Sequence, residues 1–201
     1  MINQINKEEV LQDFIKDHVY QRWQYELNEI DKRYKQDKEK IENELISAFE
    51  LACKKSLNLQ NKGEKGDIKY IYISFLRTSI IENKSFYRIE TYDENWFLDK
   101  KECFSLWNSD FIFTSLFNHM KDLEQKKVDY FSKITSMDID RIKFLESTKY
   151  HVLAVEFIKN LIFNFLENSK YKEMDKTNDI CILAGEYMDQ SEILYKENGG
   201  E

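Results

Sequence analysis

The chain has 201 residues, of which 42% are hydrophobic and 33% are charged. This composition supports one domain, or one compact domain plus an appendage, and it excludes a wholly disordered chain. The net charge of −7 argues against a general nucleic-acid binder, because phosphate contacts need clustered lysine and arginine. We therefore expect no nucleic-acid partner.

The sequence contains neither a leader peptide nor a membrane span that we can recognise. Its first residues lack a basic stretch followed by an apolar one. The most apolar stretch, residues 152–166, is interrupted by Glu156 and Lys159 and is too short to cross a bilayer. The three cysteines are widely separated, which is typical of reduced, buried thiols. These features predict a soluble, cytoplasmic protein with no membrane partner.

Residues 1–62 predict a long helical segment, because they contain no proline and no glycine. Asn6 and Glu9 form a capping box at its start. Apolar side chains then alternate spacings of three and four residues, a heptad pattern typical of coiled coils. We name these side chains the seam: Tyr20, Trp23, Leu27, Ile30 and Tyr34. The segment is either one helix of about fifty residues, roughly 75 Å long, or a helical hairpin that turns at residues 31–37. The lack of Gly, Pro and Ser in that turn favours the single helix.

Residues 63–201 predict an α+β core domain. Residues 68–81 and 86–92 have the β-branched and aromatic content of a hairpin, and residues 179–187 and 192–195 predict two further strands. Helices are predicted near residue 99 and at 110–131 and 137–168, and we expect the last to lie at the centre of the core, with Leu145 and Val152 among its buried residues. The predicted fold is therefore a mainly helical α+β protein: a long N-terminal helix, and helices packed on a small antiparallel sheet.

Few residues suggest catalysis, since the sequence has no glycine-rich phosphate loop, no nucleophile elbow and no C-x-x-C pair. His119 and Asp122 lie one helical turn apart, and such a pair can share a metal ion. Both residues lie off the apolar stripe of their helix, so we expect them to face water and predict no metal and no cofactor. His151 shares a helical stripe with Asp140 but lies three turns away, too far to bind one ion, so we expect it to be structural or exposed. Cys53 lies near the apolar positions of the long helix, so we expect an inert, buried thiol.

A second group of residues suggests a ligand pocket with aromatic walls and acidic neighbours. Aromatic rings beside carboxylates bind cationic or ring-bearing ligands, and loops held by strands often carry function. The candidate residues are Tyr92, Asp93, Glu94, Trp96 and Trp107. The alternative is an ordinary strand-to-helix corner with Trp96 in the core.

Three functions remain open from the sequence. The first is a protein–protein interaction or self-association module, such as a homodimer, that uses the seam of the long N-terminal helix. The second is a small-ligand sensor with the aromatic pocket. The third is an enzyme with a carboxylate–histidine site at His119. The sequence favours the first and does not decide whether the protein is an enzyme.

Overall fold

The computed structural model describes residues 6 to 197 and shows a mainly helical α+β protein, as the sequence predicts. The first five residues lie outside the described residues, so the prediction that the chain has no leader peptide rests partly on residues that the structure does not describe. The helices are α1 (Lys7–His18), α2 (Trp23–Gln60), α3 (Arg77–Ile81), α4 (Asp110–Lys126), α5 (Ser136–Asn160), α6 (Ile162–Glu167) and α7 (Ser169–Glu173). The strands are β1 (Ile68–Phe75), β2 (Phe86–Tyr92), β3 (Phe104–Asn108), β4 (Lys176–Glu186) and β5 (Ser191–Lys196).

The chain divides into two compact units. Among the described residues, the helical unit consists of 6–38 and 110–150, and the sheet unit consists of 39–109 and 151–197. This division differs from the predicted boundary between residues 62 and 63, because each unit combines two separate segments of the chain. Helices α2 and α5 each contribute residues to both units.

The long N-terminal helix is confirmed as α2, which has 38 residues, but helix does not run unbroken from residue 6. Helix α1 ends at His18, and a turn at residues 19–22 precedes α2. Within α2, Asp37 has non-helical backbone angles (φ −120°, ψ 26°) and kinks the helix. The prediction of one uninterrupted helix is therefore wrong. The kink at Asp37 falls in the segment where the hairpin alternative placed its turn, but residues on both sides of it are helical.

The helical unit is packed around aromatic side chains. The ring of Tyr150 contacts the ring of Trp23 at a centroid distance of 5.0 Å and the ring of Phe113 at 5.6 Å. Phe14 of α1 is fully buried against Tyr130, at a centroid distance of 4.9 Å. Helix α4 contributes the largest buried stripe: Ile112, Phe113, Leu116, Phe117, Met120 and Leu123.

The sheet unit contains a five-stranded sheet in the order β3-β2-β1-β4-β5. The pair β1–β4 is parallel and the other three pairs are antiparallel, so the sheet is mixed rather than purely antiparallel. The parallel pair arises because the chain passes through several helices between β1 and β4 instead of a tight hairpin. Gly185 lies where β4 approaches β5 so closely that a Cβ atom would clash with the backbone carbonyl oxygen of Gln190.

The sequence did not predict two elements of the sheet unit. The predicted strand 68–81 ends at Phe75 and is followed by the short helix α3. Strand β3 pairs with β2 near the region where a helix was predicted, and the structure has only one short 3₁₀ turn there, Trp96–Leu98. Both differences arise from tertiary pairing, which local sequence patterns do not encode.

Candidate functional site

An apolar groove runs between α1 and α5 in the helical unit. Its volume is about 320 Å³ and its walls are formed by eight residues: Glu8, Leu11, Gln12, Ile15, Asp138, Arg141, Ile142 and Leu145. Leu145 is 60% exposed, although the sequence predicted it in the core. Met137, in the first turn of α5, is 82% exposed. We call the surface formed by these eight groove residues the α1/α5 face.

The start of α5 at the groove is fixed by a capping box between Thr135 and Asp138. The backbone N–H of Thr135 donates to the Asp138 carboxylate at 2.8 Å, and the backbone N–H of Asp138 donates to the Thr135 hydroxyl at 3.3 Å. Lys7 of α1 forms an ion pair of 3.0 Å with Asp138. Burial tends to raise the pKa of Asp138, but the hydrogen bonds from Thr135 and Lys7 outweigh it and lower that pKa.

Two charged groups on the rim of the groove have no ion-pair partner among residues 6–197. They are the carboxylate of Glu8 and the guanidinium of Arg141, and both residues are exposed. Asp138, by contrast, is already bound by Lys7 and Thr135. The rim therefore presents one acid and one base that are available to another molecule.

The predicted seam does not form one continuous exposed stripe. Tyr20 lies in the turn between α1 and α2 and is 69% exposed. Trp23 packs on Tyr150, and the ring of Tyr34 lies 6.2 Å from the ring of Phe111, so these two seam residues contact the helical unit itself. The other two seam residues, on the same helix, are buried or half-buried. Tyr20 is therefore exposed in the turn, whereas the other four seam residues lie on α2 and are buried or half-buried.

His119 is buried rather than facing water, which corrects the expectation from its position on α4. The residue is 2% exposed. Its Nδ1 lies 3.1 Å from Oε1 of Glu26, and its Nε2 lies 2.9 Å from the backbone carbonyl oxygen of His18. The hydroxyl of Tyr150 donates to the other oxygen of Glu26, which is itself 3% exposed. The sequence pattern missed Glu26, because it lies outside the seam on a helix rich in charges.

The two ring nitrogens of His119 have different partners. A carbonyl oxygen only accepts, so Nε2 of His119 donates to His18. Nδ1 faces Oε1 of Glu26 at ion-pair distance, while that oxygen accepts no hydrogen bond from the described residues. Both ring nitrogens therefore have partners within the helical unit, which suits a structural role.

The structure does not bring His119 and Asp122 together as metal ligands. Asp122 accepts from the guanidinium of Arg22 at 2.9 Å, and both nitrogens of His119 have other partners. Across residues 6 to 197, no group of three or more His, Cys, Asp or Glu side chains is placed to hold a metal ion. The carboxylate that contacts His119 is Glu26 and not Asp122.

The predicted pocket residues lie on both faces of the sheet. Trp96 packs with its ring centroid 4.1 Å from that of Tyr70 and 5.7 Å from that of Tyr92. Trp107 packs on Tyr87, which points away from Tyr92 because the two are five residues apart on the same strand. Trp107 therefore does not line a common pocket with Trp96.

The acidic residues predicted for this pocket have different surroundings. Asp93 accepts from the backbone N–H of Asn95 at 2.8 Å and thus fixes the turn that leads to Trp96. Glu94 is exposed. Trp96 itself has a left-handed φ of 57°, which is costly for a bulky residue. Asp99 stabilises this loop by a buried ion pair with Lys65.

His151 and Cys53 are buried groups of the sheet unit. Nδ1 of His151 lies 2.8 Å from the hydroxyl of Tyr87, and its ring stacks on Phe75 at 5.0 Å. Burial, together with the charge of Arg77, lowers the pKa of His151 to about 4. Burial also raises the pKa of Cys53 to about 12, so its thiol is protonated and unreactive at neutral pH.

Comparison with protein-family models, with curated proteins and with solved structures gives no match to this chain. Within residues 6–197, none of the helices combines the length and the apolar character that crossing a bilayer requires. Function is therefore inferred from the physical properties of the surfaces and clusters described above.

Proposed function

We propose that this chain is a self-association module and that a second copy of the chain binds to the α1/α5 face. The observation that carries this proposal is the groove of about 320 Å³ whose apolar wall residue Leu145 is 60% exposed. Exposed apolar surface that is rimmed by charged groups is typical of protein contact sites. The proposal keeps the predicted role of the N-terminal helical segment but places the contact on α1 instead of the seam.

The apolar side chains of this face provide a driving force for association. Burying one Leu or Met side chain contributes about 1.5 to 3 kcal/mol. A two-fold contact would bury Leu145 of both copies, together with the half-buried Leu11 and Ile15 of the same groove. Association costs about 4 kcal/mol or more in lost translational and rotational freedom. We therefore expect a weak dimer that forms at micromolar to millimolar concentrations and dissociates on dilution.

A second copy fits this face because the rim carries charges of both signs. Glu8 and Asp138 are acidic and Arg141 is basic. A surface with both signs can be complementary to itself, and two-fold homodimers are the commonest soluble oligomers. The partner we propose is therefore the chain itself.

Light scattering on the full-length protein over a hundredfold range of concentration tests the proposal. We expect the wild type to change from monomer to dimer and the Leu145→Glu variant to remain a monomer. Leu98→Glu is the matched control, because Leu98 is 82% exposed but belongs to the sheet unit, and this variant should dimerise like the wild type. A wild type that is monomeric throughout, or a Leu145→Glu variant that dimerises normally, would refute self-association through this face.

In this proposal the protein acts in the cytoplasm, without a nucleic-acid or membrane partner. Support for a reducing compartment comes from the cysteines Cys53, Cys103 and Cys181, which are all free and buried. The net charge of −7 supports the absence of nucleic-acid binding.

A small-ligand site at Trp96 is the second candidate, favoured by the left-handed φ of 57° at a residue held between aromatic rings. Costly backbone conformations concentrate at functional sites. Aromatic faces beside the exposed carboxylate of Glu94 suit an organic cation. Titration with tetramethylammonium should quench tryptophan fluorescence in the wild type and not in Trp96→Phe. An equal response of both proteins would exclude this site.

A further inference from the structure

We infer that the two copies meet about a two-fold axis, with Arg141 of each chain paired to Glu8 of the other. The inference rests on the proposed self-association and adds the residues that fix how the copies are arranged. Two identical ion pairs, related by the axis, would close the assembly as a dimer. A contact in which Arg141 bound a different surface of the next copy would instead extend into an open chain.

The charged groups of the groove leave Glu8 and Arg141 as the available pair. Both line the groove, and within the described part of the chain neither forms an ion pair. The other rim carboxylate, Asp138, already accepts from Thr135 and lies 3.0 Å from the ammonium group of Lys7. An incoming guanidinium would therefore find Glu8 free and would have to compete for Asp138.

The positions of these residues along the helices agree with a two-fold contact. Lys7 in the first turn of α1 contacts Asp138 in the first turn of α5, so the two helices begin side by side. Glu8 lies in that same first turn of α1, and Arg141 lies one turn from the start of α5. An axis that passes through the groove at this level brings the Glu8 of one copy within reach of the long Arg141 side chain of the other.

The local environment determines how strong such pairs would be. A fully exposed ion pair contributes little to affinity. At the edge of the apolar groove the two groups would be partly shielded from water by Leu145 and its counterpart in the second copy, which strengthens their attraction. Because both pairs remain near the surface, we expect the dissociation constant to rise with ionic strength.

Charge reversal tests the pairing directly. Arg141→Glu and Glu8→Arg should each weaken dimerisation at least tenfold, because each places two like-charged contacts in the dimer. In an equimolar mixture of the two variants, both contacts of the mixed dimer join opposite charges, so the mixture should dimerise within about threefold of the wild-type dissociation constant. The measurement is sedimentation velocity at 50 mM salt, repeated at 500 mM, where the differences should shrink.

Lys16→Glu is the matched control. Lys16 is an exposed lysine of α1 that does not line the groove, so its reversal should leave the dissociation constant within about twofold of the wild type. All substituted residues are exposed, and thermal unfolding checks that each variant keeps its fold.

The outcomes separate this inference from the proposal on which it rests. A wild type that never dimerises refutes the self-association itself. If Leu145→Glu dissociates the dimer while both charge reversals leave it intact, self-association stands and the pairing of Arg141 with Glu8 is refuted. A mixture of the reversed variants that stays monomeric also refutes the pairing. Recovery of the dimer in the mixture supports it.

Discussion

The helical unit and the sheet unit each bury a histidine, but they satisfy it in different ways. His119, in the helical unit, lies between the carboxyl group of Glu26 and a backbone carbonyl. His151, in the sheet unit, is bonded to the neutral hydroxyl of Tyr87 and stacks on Phe75. Both residues are less than a tenth exposed. The two histidines are therefore similarly buried but have different partners: His119 contacts an ionisable carboxyl group, and His151 contacts a neutral phenol.

The difference follows from the elements that form each unit. Strands of the sheet place aromatic rings of the same face side by side, so a neutral imidazole can pack among them. The helices of the other unit leave the His18 carbonyl without a helical partner where α1 ends, and His119 satisfies it. The second nitrogen of His119 then needs an acceptor or donor inside the core, and Glu26 provides it. In the helical unit, the ionisable side chain of His119 therefore supplies the hydrogen bond to the His18 carbonyl that helix α1 does not provide.

The largest effect is expected from Glu26→Ala. Removing this side chain leaves Nδ1 of His119 and the hydroxyl of Tyr150 without their common partner in a buried position. Breaking a buried charged pair by deleting one member costs about 3 to 5 kcal/mol. We therefore expect the free energy of unfolding to fall by about that amount, measured by urea denaturation followed by circular dichroism.

The control for Glu26 is Glu29→Ala on the same helix. Glu29 forms a surface ion pair of 2.7 Å with Lys32, whose side chain is 72% exposed. Surface pairs contribute little to stability, so this variant should remain close to the wild type. If the two variants lost similar stability, the helical unit would not depend on the buried network around His119.

The sequence predicted the main elements of both units but not these networks. Long periodic stretches located α2, α4 and α5, and β-branched stretches located the strands β1, β2 and β4. The burial of His119 was not predictable from its own helix, because its partners His18 and Glu26 come from α1 and α2, which lie far earlier in the sequence. The exposure of Leu145 was missed for the same reason: a helical stripe shows which residues are apolar and does not show which of them another element covers.

The second prediction concerns pH and the sheet unit. Burial and the charge of Arg77 lower the pKa of His151 to about 4, from 6.5 for an exposed histidine. Between these two values the unfolded chain binds one more proton than the folded chain, so stability falls as pH decreases. The contribution is complete above pH 6.5 and is lost progressively towards pH 4. It amounts to about 3 kcal/mol at most.

Urea denaturation at pH 7.0, 6.0 and 5.0 measures this dependence, since most carboxylates remain ionised in that range. His151→Gln should give a smaller loss of stability between pH 7 and pH 5 than the wild type. His18→Gln provides a comparison in the helical unit, because burial also lowers the pKa of His18, which is bonded to Tyr130 at 2.9 Å. An unchanged slope in His151→Gln would show that the sheet unit does not carry the dependence.

The smallest predicted change in stability comes from glycine substitutions at two residues that both have a left-handed backbone conformation. Phe131 in the helical unit has a φ of 48° and is 90% exposed, whereas Trp96 in the sheet unit has a φ of 57° and packs on Tyr70. A left-handed conformation costs a residue with a Cβ atom about 1 to 2 kcal/mol, and glycine avoids that cost but loses about 0.5 to 1 kcal/mol through its freer unfolded chain.

For Phe131→Gly, relief of the left-handed backbone dominates, because the exposed ring has little packing to lose. We expect a gain of about 0.5 kcal/mol, which raises the melting temperature by about 1 to 2 °C. Trp96→Gly relieves the same backbone strain but removes the ring from contact with Tyr70 and Tyr92, so its melting temperature should fall. Scanning calorimetry measures both variants. Opposite signs would show that Trp96 is held in its conformation by packing while Phe131 is not, and a loss in both would mean that the Phe131 ring makes a stabilising contact despite its exposure.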